Sequence, residues 1–232
     1  MKQKLMLLFA GALAVLALAA VPSVAMAGEW TIDPETGVAS ELTFSGETGE
    51  AKLTSSLGTV TAKKVDVKGT YENGTTGHVE FTFTEVSGLG GTCTGTVPVA
   101  PTGTITSTEL AFHNIMIEKT GAEGFPNGKA GILITSNLEH FATFKCPLAT
   151  VEVKGNGIIG EVLNPLCTNT GFQSTATLEF ASTSTGVQKY MQVTTEGTKY
   201  DLTAKSSLGT VTASEDAEGT ITFNRKVKMT CP

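Results

Sequence analysis

The side chains able to do chemistry are few and scattered. Three histidines, His78, His113 and His140, each stand in or beside an alternating stretch, and none has the His-x-His neighbour that would help hold a metal. The aspartates are Asp33, Asp66, Asp201 and Asp216. A Ser-His-Asp triad also needs a presented nucleophile, and the G-x-S-x-G elbow is absent. Glu80, Glu118, Glu139, Glu152 and Glu161 offer carboxylates for a glycosidase pair. One Trp and three Tyr leave little for the aromatic platforms of a sugar cleft, so exposed strand faces account for these acids better. Glu215-Asp216 with Glu218 reads as a solvated acidic turn before Gly219, since no D-x-D-x-D-G calcium loop is present. Gly88–Gly91 precedes no helix and makes no phosphate cradle. The alternation of Thr104–Glu118 slips by one between Phe112 and Ile115, which predicts a bulge at His113-Asn114. Bulges re-aim side chains near sites, so His113 and Asn114 are the weak site candidates. No residue is assigned to catalysis, a cofactor or a metal.

Four cysteines, Cys93, Cys146, Cys167 and Cys231, lack CxxC spacing. An even count in an exported chain predicts two disulfides, with three connectivities open. One is preferred on a positional argument. Phe141–Cys146, Thr150–Lys154 and Ile158–Leu163 read as a three-stranded meander turning at Pro147-Leu148-Ala149 and at Gly155-Asn156-Gly157. That brings the chain back to the sheet end holding Cys146, and Pro165 then turns Cys167 toward it. The expected pairs are Cys146–Cys167 and, by elimination, Cys93–Cys231.

Export is predicted by the leader. Lys2 and Lys4 precede an apolar run from Leu5 to Val21, Pro22-Ser23 breaks it, and Ala25-Met26-Ala27 is an A-x-A cleavage signal. Residues 1–27 are thus a cleaved secretory signal peptide, and 28–232 the mature chain. No later stretch is long and apolar enough to span a bilayer. Removing Lys2 and Lys4 takes the net charge from −6 to −8. An acidic chain without a basic run does not bind nucleic acid by neutralising phosphates.

The elements that must position these residues are strands. The octapeptide Ser-Ser-Leu-Gly-Thr-Val-Thr-Ala occurs at Ser55–Ala62 and again at Ser206–Ala213, each copy preceded by Leu-Thr and carrying a Leu-Gly corner. It marks a possible duplicated hairpin over 53–86 and 202–231. Lys64–Tyr71 and His78–Val86 alternate cleanly and are joined through Asn73-Gly74, a strong hairpin signal. Gln173–Ser182 and Val187–Thr194 predict another hairpin around Thr183–Gly186. Thr220–Cys231 closes the chain as a long half-buried strand, with Ile221, Phe223, Val227 and Met229 on one face. No mature segment carries a sustained 3.6-residue apolar stripe. The expected fold is all-β: an antiparallel β-sandwich of jelly-roll or Greek-key type, with a barrel or two packed half-sandwiches as the alternatives, in a single domain.

Several blocks carry a resemblance: His140-Phe141-Ala142-Thr143-Phe144-Lys145-Cys146, Val151-Glu152-Val153-Lys154-Gly155, Ile158-Ile159-Gly160-Glu161-Val162, Gly186-Val187-Gln188 and Gly219-Thr220-Ile221-Thr222-Phe223. With them the chain resembles exported Thr/Gly-rich β-proteins of actinobacterial type, a group without an assigned activity. The resemblance implies export and β architecture. Members often carry a Cys just after the first Thr-Val-Thr strand, where this chain has Ala62-Lys63.

The expected role is a non-enzymatic exported β-domain, structural or binding, at the cell envelope or outside it, with a cell-surface or extracellular partner and no cofactor. The alternative is a secreted hydrolase with an unrecognised site. A minor alternative rests on Thr-x-Thr pairs such as Thr59/Thr61, Thr175/Thr177 and Thr220/Thr222, which put hydroxyls on one strand face and, stacked flat, would bind ice or ordered water.

Overall fold

A computed structural model describes residues 29–118, 129–138, 140–165, 171–183, 186–190 and 199–231. The predicted leader and Cys167 lie outside them. Period-2 alternation builds the whole fold. After β1 (Thr31–Pro34) the wall is made of eight columns running alternately up and down. Column one is β2 (Thr43–Thr48) and β3 (Ala51–Ser55). Column two is β4 (Gly58–Ala62) and β5 (Lys64–Tyr71). Column three is β6 (Thr76–Thr84) and β7 (Ser87–Gly88). Column four is β8 (Gly91–Thr92), β9 (Thr94–Val97), β10 (Ile105–Thr106) and β11 (Leu110–Glu118). Column five is β12 (Lys129–Thr135) and β13 (His140–Lys145). Column six is β14 (Thr150–Gly155) and β15 (Ile158–Asn164). Column seven is β16 (Gln173–Phe180) and β17 (Leu202–Ser206). Column eight is the single strand β18 (Gly209–Thr230).

Eight of these strands close a ring: β2 pairs β5, then β6, β11, β12, β15, β16, β18 and back to β2, every pairing antiparallel. A sandwich would need two sheets with unpaired edges. The Phe223↔Phe44 pairing joins the last column to the first and removes those edges, so the barrel alternative is the fold observed. The strands outside the ring prolong the wall at one end. Thr48↔Val65 and Ala51↔Ala62 belong to one unbroken register, and β18 pairs β2 with its second half and β3 with its first. Among the described residues no helix is long and apolar enough to cross a membrane.

The two octapeptides form neighbouring hairpins at the prolonged end, β3–β4 and β17–β18, with Ala213 paired to Ser55. Their local chemistry is the same. Ser55 Oγ accepts from the Leu57 N–H at 3.2 Å and Ser206 Oγ from the Leu208 N–H at 3.1 Å. Gly58 and Gly209 both hold φ at +127°, a conformation side chains resist.

Two expectations are corrected by this topology. Gly155-Asn156-Gly157 is not a turn: β14 and β15 run in the same direction through it as one column. The glycines are there for close approach, since a Cβ on Gly155 would lie 2.0 Å from the Asp201 carbonyl oxygen. Asn164 and Pro165 therefore lie at the end of the barrel opposite Cys146. The expected Cys146–Cys167 and Cys93–Cys231 pairs give way to Cys93–Cys146, with Cα atoms 4.2 Å apart, beside the Thr94↔Lys145 pair of neighbouring columns. Cys231 is also disulfide-bonded.

The second correction concerns β11. Its register against β12 is continuous from Ala111 to Met116, and the irregularity falls between Met116 and Glu118, not at His113-Asn114. Alternation holds from Leu110 to Ile117. Leu110, Phe112, Asn114 and Met116 form the inward row, and Ile115 and Ile117 belong to the outward one. The outward residues are apolar because a second, smaller core covers them: Ile115, Ile117, Leu133, Ile159, Tyr190 and Tyr200.

Candidate binding site inside the barrel

The inward rows of eight strands meet unevenly. Near β1 they interlock: Phe44, Tyr71, Phe112 and Phe223 pack edge to face with centroids 4.8–6.2 Å apart. Asn114, fully buried, completes this plug. Its amide donates to the Gly74 carbonyl at 3.2 Å, and the Tyr71 hydroxyl donates to its oxygen at 3.4 Å. Burial pushes the Tyr71 phenol well above its usual range, so it stays a donor. Trp30 donates to the Gly131 carbonyl at 2.8 Å from the same end. At the other end Phe144, Val151 and the Cys93–Cys146 bridge fill the interior.

Between the two lies a cavity of about 130 Å³. It exists because inward positions of the adjoining columns carry Ala51, Ala62, Ala142 and Ala217 where larger side chains would meet. Phe81, Phe83, Leu178 and Phe180 border it and are only partly buried, although they point into the barrel. Their remaining surface belongs to the cavity. Phe81 and Phe180 approach edge to face at 6.5 Å.

One ionisable side chain lines this apolar space, that of Glu215. It was expected in a solvated turn. Instead 209–230 is one strand, and the row Val211, Ala213, Glu215, Ala217, Gly219, Ile221, Phe223 carries Glu215 inward. Glu215 is half-buried and borders the cavity. Burial first, and the neighbouring Asp216 charge second, push its pKa up to about 8. Among the described residues the carboxyl has no hydrogen-bond partner.

The wall is interrupted beside it. β16 ends with Phe180 opposite Ala217, and β17 starts with Leu202 opposite Ala213. Residues 214–216 therefore lack a strand neighbour on that side. Hydrogen bonds from the Gly186 N–H to the Thr183 carbonyl at 2.9 Å and from the Thr183 N–H to the Val187 carbonyl at 2.7 Å hold the returning chain so that Gln188 plugs the gap. Its Oε1 accepts from the Glu215 N–H at 3.0 Å, and its Nε2 donates to the Glu215 and Ala181 carbonyls. Ser182 donates through N–H and Oγ to Asp216, both at 2.7 Å. Ser214 Oγ, buried at the same seam, has no hydrogen-bond partner among the described residues.

The segment after Gln188 is clasped to the outer wall. The Tyr190 hydroxyl donates a short hydrogen bond to Glu161, and Lys129 Nζ lies 3.2 Å from the same carboxylate. Lys189 stands 5.0 Å from the Tyr190 ring centroid. Burial, then the Glu161 contact, raises the Tyr190 pKa, so the phenol is held neutral and is no nucleophile. This cluster fastens the plug.

The sequence-derived candidates do not converge. His113 lies on the outer face of β11 and Asn114 on the inner, so they point apart. His78 borders a shallow outer groove with both ring nitrogens near acids, Nε2 at 2.8 Å from Glu72 and Nδ1 at 3.8 Å from Glu109. Neither nitrogen faces a hydroxyl that it would activate. His140 Nδ1 is 2.9 Å from the Leu138 carbonyl oxygen. Among the described residues no cluster of three His, Cys, Asp or Glu is placed to hold a metal. The Thr pairs do align across strands, Thr177 Oγ1 meeting Thr220 Oγ1 at 3.2 Å, but on a closed eight-strand wall that turns about 45° per strand.

The chain matches no family model, no curated protein and no solved structure.

Proposed function

We propose that this protein is an exported, non-enzymatic binding protein that holds a small apolar molecule inside its barrel. The observation that carries this reading is the cavity. A void of 130 Å³ among apolar side chains destabilises a fold by about 3 kcal/mol at about 24 cal/mol per Å³. Enlarging Ala142 or Ala217 would relieve that cost, so a cavity kept open against it is accounted for by an occupant. An eight-stranded barrel is wide enough for one small ligand. A cavity of comparable size lined by Leu, Ile and Phe stays dry and takes up benzene. The leader and the Cys93–Cys146 bridge support a role at the cell envelope or outside it, where disulfides persist.

The test is titration of the purified mature protein with benzene and indole, followed through methyl resonances. Shifts confined to methyls of Val67, Ile134 and Leu178, lost in Ala217→Leu, are expected. Uniform silence of these methyls with both probes would sink the reading.

A further inference from the structure

We infer that Glu215 reads a single hydrogen-bond acceptor on the ligand, so that the occupant is a small neutral molecule with an apolar body and one carbonyl-type oxygen. This rests on the cavity reading above and narrows it.

The geometry assigns the role. The half-buried Glu215 carboxyl, without a hydrogen-bond partner among the described residues, borders an apolar space. Leaving such a group unsatisfied is costly, and a ligand atom in the cavity would supply the partner that the described residues do not. The other polar groups near the cavity are engaged elsewhere. Ser107 Oγ donates to the Thr108 carbonyl at 2.7 Å and accepts from the Phe81 N–H at 3.0 Å, and Thr48 Oγ1 donates to the Gly49 carbonyl. One group therefore specifies the ligand's polar end.

The charge of that end follows from counting donors. An ammonium brings three N–H donors and would find only the two oxygens of Glu215, leaving charge and donors poorly compensated in an apolar cavity. A ketone, aldehyde or ester carbonyl needs one donor, and protonated Glu215 supplies one. Among the described residues, the charged groups around Glu215 sit on the outer face. They are Asp216 and Glu218 of β18, Lys52 of β3 bridged to Glu50 at 2.6 Å, and Lys189 of the plug, 3.7 Å from Glu179. None lines the cavity to neutralise an ionised Glu215 from within. Recognition is therefore lost as Glu215 gives up its proton.

Methylenecyclohexane, cyclohexanone and cyclohexylamine share one shape and differ at one group, so titrating all three separates the readings. Cyclohexanone is expected to lose about tenfold in affinity in Glu215→Met, whereas methylenecyclohexane loses nothing. For the ketone, affinity should fall about thirtyfold from pH 6 to pH 9.5 if only the protonated form is competent. Glu215→Gln keeps a donor at every pH, and should bind the ketone with a flat pH profile. Ketone binding indifferent to Glu215→Met and to pH would overturn this inference and leave the cavity reading standing. Tighter binding of the amine than of the ketone would overturn it too. Binding of none of the three would bring down both.

Discussion

Gln188 stands in for a missing strand beside Glu215. Its side-chain amide accepts from the Glu215 N–H at 3.0 Å and donates to the Glu215 carbonyl at 3.4 Å, the two bonds that a neighbouring strand would make. Column seven leaves the wall after Phe180 and rejoins it at Leu202, and this amide bridges the interval. Gln188→Ala should leave two buried backbone groups unpaired and lower stability by about 2–4 kcal/mol, read as a shifted urea midpoint with an unchanged slope. A loss below 0.5 kcal/mol would show that water replaces the amide without cost.

Glu215 makes stability depend on pH with a known sign. Its folded pKa, about 8, lies above the unfolded value near 4.5, so the folded chain keeps a proton that the unfolded chain gives up. The associated stability is complete below pH 4.5, declines as pH rises, and is gone above pH 8. Glu215→Gln should abolish this decline. Melting temperatures of the two proteins should diverge from pH 5 to pH 8 in favour of the variant and then run parallel. Parallel curves throughout would place the carboxyl in contact with bulk water.

The Cys93–Cys146 bridge closes a loop with a sequence separation of 53. On the chain-entropy account it contributes about 4 kcal/mol. The double variant Cys93→Ala/Cys146→Ala should lose stability on that scale. Peptide mapping without reductant should recover the two cysteines linked to each other, and a peptide joining Cys146 to Cys167 would contradict the topology.

Gly209 isolates backbone strain from packing. A Cβ there meets nothing within 4 Å, yet φ is +127°. Gly209→Ala should cost about 1–3 kcal/mol. Gly49 is equally open and has no such φ, so Gly49→Ala is the near-neutral control. Equal effects at both positions would rule out strain as the reason for the Leu-Gly corner.

The strands were legible because alternation is a local property, and the paired octapeptides and the Asn73-Gly74 hairpin lie where the sequence places them. The barrel was legible only as an alternative, since closure depends on Phe44 meeting Phe223 from far along the chain, and no local pattern encodes that meeting. Three local readings went astray for one reason: a residue type was taken at its usual meaning. Gly155 and Gly157 looked like a turn but make room for a crossing chain. The apolar Ile115 looked like a slipped register but faces a second core. Glu215-Asp216 with Glu218 looked like a solvated turn but lie on a continuous strand. The signal that would have found Glu215 was present. Nothing between Gly209 and Thr230 breaks an extended chain, and counting by twos from Phe223 back to Val211 lands on it. The cavity itself required the fold, because Ala142 and Ala217 are distant in sequence from the hairpin pair Ala51 and Ala62, and all four line one space only when the wall is closed.

β18 pairs with the first column through Ala213–Asp216 and Gly219–Phe223 and with the seventh on its other side, so the ring has two bare edges until that strand is made and docked. A chain truncated ahead of Gly209 would leave one edge of β2, β3, β16 and β17 open, a ready surface for joining other incomplete copies. The same dependence keeps a nascent chain from locking shut early.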